Sequence, residues 1–273
     1  MNNKLKQLLT IIIPAIAAVS CNPVASDDRL VPVEAAEVNR VVLIEDFTGQ
    51  NCINCPDAHE VIEQLQEQYG DAVVAVSIHA GAFGIPVERT DFPSGYIGLM
   101  TTEGQQLNDS WNIQSWPAGV INRNSGVLGH NDWATAVYNQ IATAPATDLK
   151  VDATLSADGS TIEIATTVEP RQDINGRLHL WITESGIVAR QRTTGNKIIQ
   201  DYVHNNVFRA AVTPLDGQPE QFEQYIHRTF THSITVRDTE HERWEPAALT
   251  VVAFVTDANG AVAQVATSSL SNL

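Results

Sequence analysis

The sequence predicts an α/β domain followed by an all-β domain, with an export segment ahead of both. Three observations carry this expectation. Val41 to Leu65 (VVLIEDFTGQNCINCPDAHEVIEQL) reads as a buried strand, a polar turn holding two cysteines, and an amphipathic helix. From Asp148 onward the apolar residues alternate in short runs separated by turn signals, which is strand patterning. The first twenty residues place Lys4 and Lys6 before an apolar run from Leu8 to Val19 that ends in Ser20-Cys21, the layout of a signal peptide.

A cysteine directly after such a run resembles the bacterial lipoprotein signal, and the resemblance implies acylation of Cys21 and a lipid anchor in a membrane. The alternative is a plain secretory peptide with an incidental cysteine. Residues 21–39 then form an acylated start and a tether with Pro23, Pro32 and several acidic residues. Ser26-Asp27-Asp28 reads either as an outward-targeting signal or as solvated linker. The 16 Lys and Arg against 32 Asp and Glu give a net charge of −16, and removing Lys4 and Lys6 with residues 1–20 makes it −18. So acidic a chain is unsuited to nucleic acid or to an anionic membrane surface as partner.

Residues 40–146 are the expected α/β domain. Val41 to Phe47 is too short for a helix and rich in β-branched residues, and Thr48 to Asn51 ends it. After Cys55, Ala58, Val61, Ile62 and Leu65 recur at three and four, so one helical face is buried, and Pro56 falls in the first turn, where its missing N–H costs little. Ala72 to His79 is a second buried strand, and the glycine- and proline-rich Ala80 to Gly104 is mainly loop. Leu99 to Trp111 is partly helical, Gly119 to Arg123 and Gly126 to Leu128 form a hairpin, and Asp132 to Thr143 closes the domain as a helix.

Residues 147–273 are expected to hold six to eight strands. Leu149 to Leu155, Thr161 to Val168, Leu178 to Thr183, Val207 to Val212, His232 to Val236 and Leu249 to Thr256 carry the pattern, and Asn259-Gly260 is the sharpest hairpin signal. Strands with little helix suggest an immunoglobulin-like β-sandwich, with Gln191 to Asn206 and Pro214 to Glu223 as long connections. Trp181 and Trp244, at strand positions, read as core residues or as an exposed binding patch, with core favoured, and His204, His227, His232 and His241 are expected at the surface or at strand ends.

At Cys52-Ile53-Asn54-Cys55 the chain resembles the thioredoxin fold, which carries a C-x-x-C between its first core strand and the following helix. The resemblance implies catalytic roles for four residues. Cys52, at a helix start where free N–H groups stabilise a thiolate, is the nucleophile and is expected to be reachable from solvent. Cys55 is the resolving thiol. Asp46, six residues before Cys52, is the buried acid that relays its proton. Pro117, in Trp116-Pro117, is the cis-proline opposite Cys52. Asn51 departs from that pattern by replacing the usual tryptophan, and Cys52 to Pro117 is a longer interval than in a minimal thioredoxin.

The whole layout, with Asp201-Tyr202-Val203-His204-Asn205 in the second half, resembles the family named after the twenty-eight-kilodalton outer membrane protein of Gram-negative anaerobes. That resemblance implies an outer membrane lipoprotein and leaves the reaction open.

Three functions compete for the cysteine pair. Thiol-disulfide exchange with thiols or disulfides of envelope proteins needs no cofactor. Soft-metal binding would use Cys52, Cys55 and His79, which ends the neighbouring strand, to hold copper or zinc. In the third reading the disulfide is structural and the chain is a surface binding or assembly protein. No Ser-His-Asp arrangement, phosphate-cradling loop or paired-carboxylate spacing supports a hydrolase or nucleotide enzyme.

Overall fold

The computed structural model describes residues 37–88, 97–239 and 241–272. The expected signal peptide, Cys21 and the tether up to residue 36 lie outside the described residues.

Strand β1 (Val42–Thr48) leads into helix α1 (Cys55–Tyr69), which returns to β2 (Val73–His79), parallel to β1 from Val42↔Val73 to Thr48↔His79. Helix α2 (Thr102–Ser110) is capped at its start by the Thr101 hydroxyl, which accepts the Gly104 N–H. Strands β3 (Ala118–Ile121) and β4 (Val127–Leu128) form the expected hairpin, and α3 (Trp133–Ile141) follows. The second half supplies β5 (Thr147–Leu155), β6 (Thr161–Pro170), β7 (Ile174–Glu184), β8 (Ile187–Thr193), β9 (Lys197–His204), β10 (Val207–Ala211), β11 (Gln218–Phe222), β12 (Arg228–Thr235), β13 (Leu249–Thr256), β14 (Val262–Ser269) and β15 (Ser271–Asn272).

An α/β thioredoxin-like domain followed by a separate immunoglobulin-like sandwich is not what forms. Strands from both halves share one nine-stranded mixed sheet, in the order β14-β13-β7-β10-β2-β1-β3-β4, with β11 on β7. The joint is β10 against β2, with Val207 opposite Ser77 and the Ser77 N–H donating to the Asn206 carbonyl at 2.7 Å. Had the first half closed on itself, β2 would expose a row of unpaired backbone groups. β10 takes that edge, and β7, eleven residues long, carries the sheet onward through β13. A four-stranded sheet, β12-β6-β5-β15, and the separate hairpin β8-β9 complete the chain.

Side-chain alternation on the large sheet explains three apolar layers. On one face, Val42, Ile44, Val73 and Ala75 pack beneath Ala58, Ile62 and Leu65 of α1 and Trp133 and Val137 of α3. On that same face, further along, Leu178, Leu180, Ile182, Val251 and Ala253 meet Val151, Ile162 and Ile164 of the smaller sheet. The opposite face buries Leu43, Phe47, Val76, Trp181, Phe208 and Phe254 together with Leu107 of α2. Trp181 and Trp244 are both core residues. Among the described residues no helix is long and apolar enough to cross a membrane.

Two expected connections are structured. Gln191 to Asn206 contains most of the β8-β9 hairpin, and Pro214 to Glu223 contains β11. Both segments are polar because their strands are edge or two-sided elements, which hides the alternation that marks a half-buried strand.

Candidate functional site

β1 ends against a tight turn. A Cβ on Gly49 would come within 2.6 Å of the Phe83 backbone, so only glycine lets the chain pass there. The Asn51 N–H donates to the Phe83 carbonyl at 2.9 Å and the Cys52 N–H to the Gly49 carbonyl at 3.0 Å, and α1 begins at Cys55 with Pro56 in its first turn. Cys52 and Cys55 form a disulfide across this junction, with Cα atoms 5.5 Å apart.

Both sulfur-bearing residues are buried, Cys52 at 2% exposure and Cys55 at 0%. This corrects the expectation that Cys52 is reachable from solvent. The cover is β8. Gln191, itself 0% exposed, donates its amide to the carbonyls of Cys52 at 2.9 Å and Gly49 at 3.3 Å. The Arg192 N–H donates to the Gln50 carbonyl at 2.8 Å, and the Gln50 amide reaches the Arg190 carbonyl at 3.4 Å. What the loop presents to solvent is Ile53, 42% exposed, together with the exposed Asn54.

Asp46 points from β1 toward α1 and is fully buried. Its Oδ2 accepts from Ser77 Oγ at 3.1 Å and lies 3.6 Å from His59 Nε2, while its Oδ1 has no hydrogen-bond partner among the described residues. Loss of solvent raises its pKa to about 7, with the Ser77 hydroxyl pulling the other way. His59 stands one helical turn beyond Cys55, on the same side of α1. It shares hydrogen bonds with Thr48 Oγ1 at 3.1 Å and Tyr202 Oη at 2.8 Å. Burial lowers its pKa to about 3, with His204 adding to the shift. Carboxyl and imidazole are thus both pushed toward their neutral forms, and their contact is not an ion pair at pH 5.

Tyr202 and His204 come from β9. Burial raises the Tyr202 phenol to about 12 and lowers His204 to about 4. The His204 ring meets the Tyr202 ring edge-on at 4.9 Å and the His79 ring at 5.2 Å, and burial holds His79 well below its ordinary pKa. The hairpin is therefore fastened over the disulfide from two sides, through Gln191 on β8 and through Tyr202 and His204 on β9.

The Trp116-Pro117 bond is cis and precedes β3, whose Ala118 pairs with Phe47. It lies at the end of the sheet where β1 runs into the cysteine loop. Trp116 packs edge-on against Phe83 at 5.6 Å, and Phe83 holds Asn51. Cys52, Cys55, Asp46 and Pro117 thus gather at one end of β1. His79 ends β2 beside them and meets the His204 ring edge-on. No group of three metal-ligating side chains occurs among the described residues.

Sequence reasoning missed His59, Gln191, Tyr202 and His204. His204, expected at the surface or at a strand end, does end β9 but is buried, at 2% exposure. One signal was available: Tyr202 and His204 alternate with exposed Asp201 and Val203, a period of two inside the Asp201 to Asn205 stretch.

The family model for outer membrane protein Omp28 matches residues 104–272, more than half of the chain. The chain belongs to this family. The matched region contains Pro117, Gln191, Tyr202 and His204 and begins beyond both site cysteines. Among solved structures, HBP35 of Porphyromonas gingivalis is similar in fold, with TM-score 0.62 at 14% identity over 86% of this chain and 76% of that one. A domain of the outer membrane lipoprotein Omp28 from Porphyromonas gingivalis also matches, at TM-score 0.34 and 14% identity, over 48% of this chain and 92% of that one. No curated protein sequence matches the chain.

Proposed function

We propose that Cys52 and Cys55 form a thiol-disulfide exchange site kept closed by the β8-β9 hairpin, in a lipoprotein anchored to the outer membrane through an acylated Cys21. The observation that carries this reading is Asp46. A carboxyl buried without a partner for Oδ1 destabilises the fold, and a purely structural disulfide has no use for it. A carboxyl near pKa 7 on the face of β1 beneath the cysteine-bearing helix suits proton exchange with Cys55.

Once the hairpin moves aside, a substrate thiolate attacks Cys52 Sγ. The Cys52–Cys55 bond breaks, a mixed disulfide forms, and Cys55 leaves as a thiolate that takes the Asp46 proton. A second thiolate of the substrate then attacks the substrate sulfur of the mixed disulfide and releases Cys52 as a thiolate, so the substrate gains a disulfide and this chain holds the reduced pair, Cys52 as thiolate and Cys55 as thiol. The reverse sequence reduces a substrate, with Asp46 as carboxylate accepting the Cys55 proton. The substrates are thiols or disulfides of envelope proteins.

The burial of Cys52 favours a second reading, a permanent disulfide in a surface binding or assembly protein. Trapping separates the two. Cys55→Ala combined with Gln191→Ala should accumulate mixed disulfides through Cys52 in the envelope, absent when Cys52 is also replaced. Normal expression without adducts would leave the permanent disulfide as the function of the pair.

A further inference from the structure

On the sheet face opposite α1, a cleft of about 770 Å³ opens between the end of α2, the β3-β4 turn, the start of β7 and the β13-β14 turn. Small-molecule sites typically occupy about 300 to 1,000 Å³. The thiol chemistry uses none of its residues. We propose that this cleft binds a neutral saccharide.

The cleft combines an aromatic wall with a polar rim. Trp111 is half-buried and packs on one side against the core beneath the cleft, which it lines. The exposed part of an indole held in this way offers apolar aromatic surface for the C–H face of a pyranose ring. Around it stand the exposed amides of Gln106, Asn175 and Asn259. A sugar hydroxyl both donates and accepts, and a carboxamide offers one group of each kind, so this rim matches hydroxyl pairs better than it matches a charge or a hydrocarbon.

Charge selects against an anion. Arg123 lines the cleft, but its Nε and Nη2 each donate a hydrogen bond, at 2.9 Å, to the fully buried Glu45 carboxylate. Arg177 also lines it and is paired with Asp216 at 3.0 Å. Each cation has its carboxylate, Asp257 adds another, and the chain as a whole carries −16. No surplus positive charge remains to draw an acidic ligand. Aliphatic lining is sparse, with Leu107 and Leu215 the aliphatic contributors besides Ala258 and Pro219, which is little for a lipid chain.

The floor is also rigid. The Arg123 guanidinium lies 4.9 Å from the centre of the Phe254 ring and 5.3 Å from that of Trp181, while Glu45 grips its edge. The Asp257 carboxylate accepts the N–H groups of Asn259 at 2.8 Å and Ala261 at 3.0 Å, which fixes the turn carrying Asn259. A site held this way loses little freedom when a ligand enters.

The test is an array of immobilised oligosaccharides, neutral (malto-, cello-, chito- and manno-series) and acidic (sialylated and uronic-acid chains), probed with the oxidised wild-type chain. Calorimetry on the best neutral hit follows. Retention of at least one neutral series, with affinity reduced tenfold or more by Trp111→Ala and about threefold by the exposed-site variant Asn259→Ala, is the expected result. No retained glycan, preference for the acidic set, or unchanged affinity in both variants would overturn the proposal. The Asn259→Ala arm decides the matter should Trp111→Ala fail to fold. Because Cys52→Ala/Cys55→Ala protein should bind the same glycan equally well, this outcome is independent of the thiol reading.

Discussion

Replacing Asp46 by Asn should stabilise the oxidised protein at alkaline pH and leave it little changed in acid. An unfolded aspartate titrates near pH 3.9, whereas the buried Asp46 carboxyl titrates at about 7. Between those values the native state holds a proton that the unfolded chain has released. Stability from this group is therefore present below about pH 4 and is lost as pH rises toward 7. The interval is about three decades, and at about 1.4 kcal/mol per decade the ionised carboxylate costs roughly 4 kcal/mol above pH 7. Asn keeps the shape and can still accept from Ser77 Oγ without any charge to bury. Urea unfolding of wild type and Asp46→Asn at pH 4.5 and pH 8 measures the effect. With a slope of roughly 3 kcal/mol per molar urea, the variant's midpoint should sit about 1 M higher at pH 8 and close to wild type at pH 4.5. A variant equally or less stable at pH 8, or a gap that does not widen with pH, would refute the claim that Asp46 is buried without a compensating charge.

The histidines act with the opposite sign. His59 and His204 have pKa values lowered to about 3 and about 4, so the stability they allow is full above the unfolded value near 6.5 and falls as pH drops toward 4. His204→Phe should move the acid-unfolding midpoint to lower pH, followed by circular dichroism. Gln191→Ala removes the donor shared by the Cys52 and Gly49 carbonyls, a loss of about 1 to 2 kcal/mol in holding the cover down. Reduction of the disulfide by dithiothreitol should quicken roughly tenfold, and an unchanged rate would show that β8 does not limit access. Glu45→Gln leaves the Arg123 guanidinium without its carboxylate and should destabilise by about 3 kcal/mol. Chemical denaturation of Glu45→Gln, Arg123→Met and the double variant would show whether the two losses add, and a coupling near zero would argue against the pair.

Local features of this chain were legible from its residues alone. The strand before Cys52, the helix after Cys55 with Pro56 in its first turn, the β3-β4 and β13-β14 hairpins and the run of strands after residue 147 all follow from periods of two or 3.6 and from turn chemistry. Those periods specify which face of an element is buried. They carry no information about which backbone edge a strand pairs with, because every edge offers the same N–H and C=O groups. That choice depends on residues far apart in the chain, and it joined β10 to β2 and merged two expected domains into one sheet. The same long-range packing laid Gln191, Tyr202 and His204 over a disulfide some 140 residues earlier in the sequence. The cysteines were evident from their spacing; their burial was decided by tertiary contacts alone.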